Sequence, residues 1–399
     1  MIKRIEINYR GIFQKTLAKK IGSDIVLIAA RMGQVGFSNG RYSDSPERNG
    51  IPCKYFAFVS PDLSEEELEA ECGAKLDIDE ANVSIVLDDT MVKGVEPWAW
   101  HGIRPINEKL VEGGHLLVVS RRQPQELLPF IGKKPFNYHL AILEGDASFS
   151  GLWVFKDDLT HERVLGAIAA LDPQIISLEA VQEYLWQKTR DERRVQAANA
   201  AYEEVRERLY TVTPADGIEW PYEVPTLPKW HEFREGIVVP AVPRGFQLGP
   251  RGQSRNPQFK RGTTKTQRPV VRFDLCTKCT LCWLECPDEC FDPTPDGLYD
   301  IDYEYCVGCG KCAEVCPVKE CIVMVDELRF TDNSSPWEFY RRDPEGYIAW
   351  AEEKKGRERV IYPFVTGTGL EVVTAEAVPQ GKKLPAKGQT RSKSKRETV

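Results

Sequence analysis

The stretches CTKCTLCWLECP at 276–287 and CVGCGKCAEVCP at 306–317 contain eight of the twelve cysteines in this chain of 399 residues. Both have the spacing C-x2-C-x2-C-x3-C-P, so one motif occurs twice. The two-residue gaps let a tight loop wrap around a bound group, with backbone N–H groups free to point at the sulfurs. The proline after each fourth cysteine disfavours helical geometry in that cysteine and lacks a backbone donor. The repeat therefore predicts two neighbouring sites built from cysteine thiolates.

This spacing is that of bacterial ferredoxins, in which three closely spaced thiolates hold one 4Fe-4S cluster while the fourth reaches across to the other. The predicted ligands of the first cluster are Cys276, Cys279, Cys282 and Cys316. The predicted ligands of the second cluster are Cys306, Cys309, Cys312 and Cys286. Zinc sites do not fit, because the triplets are too crowded and no histidine follows His231. A disulfide framework suits a small secreted domain rather than a chain of this length.

Four cysteines lie outside the two motifs. Cys290 and Cys321 each follow a fourth cysteine by a few residues. Their position leaves two interpretations open, a substitute ligand or a small apolar packing residue, and we favour the second. Cys53 and Cys72 lie far from the motifs and are predicted to be thiols of a protein core.

The composition, 42% hydrophobic and 28% charged, is that of a soluble globular protein, and the length predicts about two to three domains. The start MIKRIEINYRG has no apolar signal region, and runs such as IVLIAA at 25–30 are too short to cross a bilayer. Cluster-binding cysteines fit a reducing compartment, so we expect a cytoplasmic protein without membrane contact.

The net charge of −7 is unevenly distributed. Residues 270–327 carry thirteen acidic and four basic side chains, whereas residues 228–269 carry nine basic and two acidic ones. The last nineteen residues are also basic. Such blocks are typical of contact surfaces or solvated linkers. Nucleic-acid binding would rest on this charge alone and is not predicted. The acidic charge around the clusters predicts low reduction potentials.

Residues 1–175 alternate short apolar runs with helical patterns, which predicts an open, mostly parallel α/β sheet. The predicted strands are 2–7, 24–30, 53–60, 82–88 and 115–120. The predicted helices are 64–72, 105–112 and 161–171. The pair Gly33 and Gly36 after the second predicted strand is interpreted as a turn, because it lacks the rest of a nucleotide-binding fingerprint. No catalytic constellation stands out, so no catalytic residue is predicted.

The rest of the chain divides by composition. Residues 176–210 are interpreted as one charged helix, and residues 211–269 contain nine prolines and six glycines, which predicts an extended linker. The predicted fold is thus an α/β domain joined by that linker to a small α+β ferredoxin-like domain. The predicted divisions are 1–190 for the α/β domain, 191–267 for helix and linker, 268–327 for the two-cluster domain and 328–399 for a partner-docking extension with a basic tail.

A polar loop, FSNGRYSDSPERNGIP at 37–52, separates two predicted elements of the α/β domain. Together with the CTLCW segment of the first cysteine motif, it resembles 2-oxoacid:acceptor oxidoreductases, among them pyruvate, 2-oxoglutarate, oxalate and phenylglyoxylate oxidoreductases. In that family the gamma subunit supplies an α/β domain and the delta subunit a two-cluster ferredoxin. The resemblance covers roughly 1–190 and 266–327 and implies a fused gamma/delta chain. It also implies partner-contact candidates in the loop: Arg41, Tyr42, Asp44, Glu47, Arg48 and Asn49.

The chain departs from the family at its start. Relatives carry a glycine-rich GRGGQG turn after the first strand, whereas this chain has NYRGIFQK and keeps only Arg10, Gly11 and Gln14. This difference implies a gamma domain that docks subunits rather than one that binds a ligand.

The resemblance implies oxidative decarboxylation of a 2-oxoacid on thiamine diphosphate, usually to an acyl-CoA. No GDG motif for thiamine diphosphate occurs here, so that cofactor and its Mg²⁺ are expected in partner alpha and beta subunits. This chain would carry their electrons through two 4Fe-4S clusters to a ferredoxin or to a flavin subunit that reduces NAD. The alternative is an electron-transfer subunit of another complex, such as a hydrogenase or formate dehydrogenase, since the same module serves them all.

Overall fold

The structure is a computed structural model that describes residues 2–41, 52–73, 77–95, 102–145, 159–224, 262–355, 361–366 and 369–374. Within these ranges, no helix combines the length and apolar character that a bilayer crossing requires. Residues 225–261 of the predicted linker and the basic tail after 374 lie outside the described residues. The described part forms an α/β domain, up to residue 224, and a cysteine-rich module, residues 262–355.

The strands of the α/β domain are β1 (Lys3–Arg10), β2 (Val35–Gly40), β3 (Pro52–Ser60), β4 (Ala81–Val86), β5 (Leu110–Val119), β6 (Tyr138–Leu143) and β7 (Tyr210–Val212). Its helices are α1 (Gly11–Arg31), α2 (Glu65–Cys72), α3 (Pro124–Leu127), α4 (Thr160–Leu171), α5 (Leu178–Thr189) and α6 (Glu192–Glu207). The sheet order is β2-β3-β1-β4-β5-β6-β7. The central strands β1, β4, β5 and β6 are parallel, and antiparallel strands flank them. The predicted α/β class with a parallel sheet is confirmed.

The central strands are apolar on both sides because both faces of the sheet are covered. One face packs Ile85 and Leu117 against helices α1, α4, α5 and α6. The other face packs Val118 and Ile142 against the segment that contains Ile131. Full burial of each such aliphatic side chain contributes about 1.5–3 kcal/mol to folding. The α/β domain therefore has an apolar core on each side of its sheet.

The predicted strand at 24–30 is wrong, because these residues form the second half of α1. Ile21, Ile25 and Ile28 recur at helical spacing and are fully buried against the sheet. A short apolar run can fit a strand or a buried helix, and the length of the whole segment decides between them. Gly33 does form a turn, with φ of 79°, but it follows this helix instead of a strand.

Two helix predictions also need correction. Residues 105–112 form turns that lead into β5, not a helix. Residues 176–210 form α5 and α6 rather than one helix, because Arg190 adopts φ of 54° and the Asp191 side chain accepts a hydrogen bond from the Arg193 N–H at 3.1 Å, which starts a new helix.

The segment 191–212, which the sequence assigns to helix and linker, packs with the α/β domain. Helix α6 lies so close to α4 that a Cβ on Gly166 would come within 2.0 Å of the Ala198 carbonyl oxygen. Strand β7 then pairs with β6 at the sheet margin. The helix prediction overlooked these contacts because the small residues that permit them resemble ordinary helix formers in the sequence.

The cysteine-rich module contains β8 (Gln267–Val271), α7 (Leu281–Leu284), β9 (Phe291–Pro293), β10 (Tyr299–Ile301), α8 (Lys311–Val315), β11 (Ile322–Asp326), α9 (Pro336–Arg342) and α10 (Pro344–Lys354). Strand β8 pairs with β11 and β9 with β10, in both cases antiparallel. Each cysteine motif therefore begins after one strand of a pair and ends before a strand of the other pair. The module is built from two halves of the same design. A hairpin of β12 (Ile361–Thr366) and β13 (Gly369–Thr374) follows it.

The extension after 327 was predicted to dock on a partner, but its described helices pack on the module itself. Tyr347 of α10 is fully buried, and its hydroxyl donates to the Val271 carbonyl of β8 at 2.7 Å. Its ring also contacts Phe273, with ring centroids 5.4 Å apart. Aromatic residues of this extension therefore complete an internal core.

Candidate metal centre

The loops that carry the first three cysteines of each motif have the same backbone shape. Lys278 and Thr280 have φ values of 59° and 67°, and Gly308 and Gly310 at the equivalent positions have 67° and 79°. The N–H groups of Lys278 and Gly308 each donate to the sulfur of the first cysteine of their motif at 3.4 Å. Left-handed geometry costs a non-glycine residue roughly 1–2 kcal/mol. The first loop accepts this strain to aim its backbone at sulfur.

The predicted ligands of the first cluster line one cavity of about 430 Å³, a volume that includes the solvent at its mouth. Cys316 reaches this cavity from the second motif and Cys321 from the segment just after it, whereas the other cysteines of the lining belong to the first motif. Apolar side chains, among them Val271, Phe291 and Ile322, form much of the wall. Thiolate ligands in an apolar, partly closed cavity are the surroundings that suit a 4Fe-4S cluster.

The thiols around this cavity affect one another strongly. A hydrogen bond from Cys321 lowers the pKa of Cys276 to about 6, and the N–H of Lys278 contributes to the shift. Burial, followed by the charge on Cys276, raises the pKa of Cys282 to about 12. Thiols at such short range cannot all ionise unless a cationic group lies between them. The site therefore has the electrostatics of a metal centre.

The second set of predicted ligands also combines the two motifs. Cys306 and Cys312 are buried, and burial together with the charges on Cys306, Cys309 and Cys286 raises the pKa of Cys312 well above its usual value. Cys286 thus lies among the cysteines of the second motif. A hydrogen bond from Cys290 lowers the pKa of Cys286 to about 7. Each fourth cysteine therefore lies near thiols of the other motif.

In the described residues, no three or more His, Cys, Asp or Glu side chains converge closely enough to hold a single metal ion. A 4Fe-4S cluster requires less convergence, because each of its four thiolates binds a different iron.

The remaining cysteines differ in their surroundings. Cys53 and Cys72 are buried in the α/β domain, as predicted. Cys290 and Cys321 are buried too, which agrees with a packing role, but each also touches ligand sulfurs. Cys290 interacts with the thiols of the second cluster site, and Cys321 lines the cavity of the first. Apart from their short spacing to the motifs, nothing in the sequence indicated these sulfur contacts.

Arg41, a predicted partner contact, is buried within the α/β domain. Its guanidinium donates to Asp77 at 3.0 Å, and its N–H donates to the Lys54 carbonyl at 3.0 Å. The other predicted contacts, Tyr42, Asp44, Glu47, Arg48 and Asn49, lie outside the described residues. Arg41 therefore has a structural role inside this chain.

A buried polar interface, which sequence reasoning missed, joins the α/β domain to the module. Arg10, at the end of β1, donates to the Thr263 carbonyl at 2.5 Å. Lys93 pairs with Glu327 at 2.6 Å. Arg122 bridges Asp89 and Asp326, at 2.9 Å from each.

Burial on its own would raise the pKa of Glu327, but the charges of Arg268, Lys265 and Lys93 outweigh it and lower that pKa far below its usual value. The signal available in the sequence was Arg10, one of the residues that the resemblance assigns to a glycine-rich turn. In this chain that region holds two domains together.

Comparison with known proteins agrees with this site. The 4Fe-4S dicluster domain family matches residues 269–324. Pyruvate synthase subunit PorD of Thermotoga maritima is 36% identical over 89 residues, which are 22% of this chain and 87% of that protein. The delta subunit of NADH-dependent phenylglyoxylate dehydrogenase from Aromatoleum evansii is 43% identical over 56 residues, 14% of this chain and 59% of that protein.

Among solved structures, the pyruvate oxidoreductase subunit PORC of Thermotoga maritima covers 53% of this chain and 98% of its own, with a TM-score of 0.35 and 16% identity. A similarity at this level supports no functional conclusion. The similarity of the module is stronger evidence, because it spans 87% of the PorD subunit at 36% identity. Through this module, which binds two 4Fe-4S clusters, the chain belongs to the family of iron–sulfur electron-transfer subunits of 2-oxoacid oxidoreductases.

Proposed function

We propose that this chain is a fused gamma/delta subunit that conducts electrons from partner subunits through two 4Fe-4S clusters, each held by three cysteines of one motif and one of the other. The observation that carries this proposal is the position of Cys316 in the cavity of the first motif. The first cluster would be held by Cys276, Cys279, Cys282 and Cys316. The second would be held by Cys306, Cys309, Cys312 and Cys286.

When bound, each cluster supplies one-electron transfer. The residues of this chain supply the surroundings. The N–H groups of Lys278 and Gly308 donate to ligand sulfurs and so stabilise the negative charge there. Apolar walls such as Phe273 and Ile322 limit the access of water.

The carbon chemistry is assigned to other subunits. The chain has no GDG motif, so thiamine diphosphate and Mg²⁺ would be bound by alpha and beta partners. The relatives named as pyruvate synthase and phenylglyoxylate dehydrogenase subunits support a 2-oxoacid as the source of electrons. We place the complex in the cytoplasm, with a ferredoxin or a flavin subunit as acceptor. The division into a gamma-type α/β domain, a linker, a two-cluster domain and a C-terminal extension is part of the same proposal.

The test is anaerobic purification of the native complex, followed by mass spectrometry of its subunits and assays of its cofactors. We expect about eight irons per copy of this chain, thiamine diphosphate in a different chain, and viologen reduction that depends on a 2-oxoacid. Co-purification with a hydrogenase or formate dehydrogenase would overturn the 2-oxoacid assignment in favour of the alternative. Markedly fewer irons would overturn the two-cluster assignment itself.

A further inference from the structure

Lys265 is a buried lysine at the back of the second cluster site. It lies two residues before β8, and only 1% of its surface is exposed. Its ammonium donates to the carbonyl of Tyr303, three residues before Cys306. Its Cβ lies 3.0 Å from the point where a Cβ on Gly308 would stand. The lysine therefore packs directly against the loop of the second motif.

The charge of Lys265 is not matched by a carboxylate of its own. Glu327 is the nearby acid, but it already pairs with Lys93 at 2.6 Å and with Arg268 at 2.8 Å. In the described part of the chain, Lys265 forms no ion pair. Burial lowers its pKa to about 8, with Glu327 acting in the opposite direction, so the amine still carries its proton at neutral pH. A cationic lysine is thus held in a site shielded from water.

The first cluster site has no cation at the equivalent position, and Arg272, a buried cation beside that site, is paired with Asp274 at 2.7 Å. Pro295 stands the same number of residues before Cys306 as Lys265 stands before Cys276. The lysine nearest the first motif is Lys278, which is exposed and whose ammonium donates to the Asp296 carbonyl at 2.6 Å. Solvent and salt screen a charge in that position. The two halves share a backbone design but differ in buried charge.

We propose that Lys265 is a potential-setting residue, which makes the cluster of the Cys306 motif easier to reduce than the cluster of the Cys276 motif. Reduction adds one negative charge to a cluster, and a buried cation nearby stabilises that added charge. Electrons that enter the chain therefore collect on the second cluster. The chain has a built-in direction of electron flow, whichever partner supplies the electrons.

The test measures the midpoint potentials of both clusters by EPR-monitored redox titration of the full-length, cluster-loaded chain. In K265Q, which keeps a side-chain donor for the Tyr303 carbonyl, we expect one potential to fall by 59 mV, a tenfold loss in the reduced-to-oxidised ratio at fixed solution potential. K133Q is the matched control, because it makes the same change at an exposed lysine of the α/β domain. Its ratio should change less than twofold at either cluster.

K265R keeps the positive charge and should leave both potentials near their wild-type values. The proposal is overturned if K265Q shifts neither potential, if it shifts both equally, or if K265R lowers the same potential as K265Q does. Loss of iron from K265Q, K265M and K265R alike would assign Lys265 a packing role and would also overturn it. None of these outcomes depends on which 2-oxoacid or partner the complex uses, so the proposed function is tested separately.

Discussion

Buried acidic groups have opposite surroundings in the α/β domain and in the cysteine-rich module. In the α/β domain, Asp24 accepts hydrogen bonds from Lys188 at 2.8 Å and from the Tyr184 hydroxyl at 2.6 Å, and the His161 ring lies 2.9 Å from its carboxylate. In the module, thiols that would carry the same charge converge, and Cys282 and Cys312 resist ionisation because of burial and their neighbours. In the α/β domain, the polypeptide itself supplies the partners of the buried charge. In the module, the converging thiols need a bound cationic group to balance their charge.

Because of this difference, we expect the module to depend on the cofactor for folding more than the α/β domain does. The core of the α/β domain is apolar side chains on both faces of a sheet, which is sufficient for folding. The core of the module is smaller and includes the cysteines themselves. Metal-binding energy is folding energy where the ligands come together only in the folded state.

The largest effect is expected from iron removal, which should unfold the module and leave the α/β domain folded. The thiols of the module would have to stay together without the group that neutralises them, whereas α1 and β4 would lose no core contact. Hydrogen exchange with mass spectrometry, before and after anaerobic chelation, measures both parts in one experiment. Peptides around 276–316 should lose their protection, and those of 81–86 should keep it. Persistent protection in the module would contradict this comparison.

The next effect concerns the crossing of the motifs. C316S should remove the cluster of the first motif, and C286S the cluster of the second, because each fourth cysteine serves the opposite half. Each variant should retain about four of the eight irons. C53S, a change at a buried thiol of the α/β domain, is the control and should retain all of them. Combining each variant with K265Q identifies the surviving cluster: the Lys265 effect should persist in C316S and vanish in C286S.

The cluster sites could be predicted from the sequence further than the fold around them. Spacing alone predicted two crossed sets among eight cysteines, because so few arrangements of thiolates satisfy that pattern. The α/β class was also predictable from alternating apolar runs. The segment 24–30 was mispredicted, since a short run such as DIVLIAA has no period that distinguishes a buried helix from a strand.

Other features could not be predicted because they depend on residues far apart in the chain. The pairing of Lys93 with Glu327 joins residues more than two hundred positions apart, and neither side chain stands in a motif. Lys265 appeared only as one member of a basic segment. Its importance comes from burial beside Cys306, which the sequence does not encode locally.

A smaller effect on the stability of the module is expected from changes at the positive-φ positions of its two cysteine loops. The effect should have opposite signs in the two loops. K278G should stabilise the module by about 1 kcal/mol, because glycine adopts a positive φ without the penalty that lysine has. G308A should destabilise it by about 1–3 kcal/mol, since its Cβ would lie 2.2 Å from the Gln267 carbonyl oxygen. The measurement is the urea midpoint for loss of cluster absorbance under anaerobic conditions. Equal shifts of the same sign would show that the two loops are not equivalent.

The smallest effect is expected in the paired charges of the α/β domain and depends on pH. Burial alone would raise the pKa of Asp24, but the neighbouring His161 ring and the hydrogen bonds from Lys188 and Tyr184 outweigh burial and lower that pKa to about 2. Because the folded-state pKa lies below the unfolded value, the charged form of Asp24 stabilises the fold fully above about pH 4. That stabilisation is lost as the pH falls through about 2.

D24N should therefore destabilise the α/β domain by about 1–2 kcal/mol at pH 7, since the lysine and histidine lose their charged partner. The deficit relative to wild type should shrink progressively below pH 4. D191N is the matched control, because an asparagine can still begin α6 and the partner Arg193 is exposed; its deficit should be much smaller than that of D24N. The measurement is hydrogen-exchange protection of 160–171 between pH 7 and pH 3, corrected for intrinsic exchange rates. A deficit that is constant with pH would mean that Asp24 acts by packing and not by charge. Asp24 would then no longer be an example of a stabilised buried charge that contrasts with the thiols of the module.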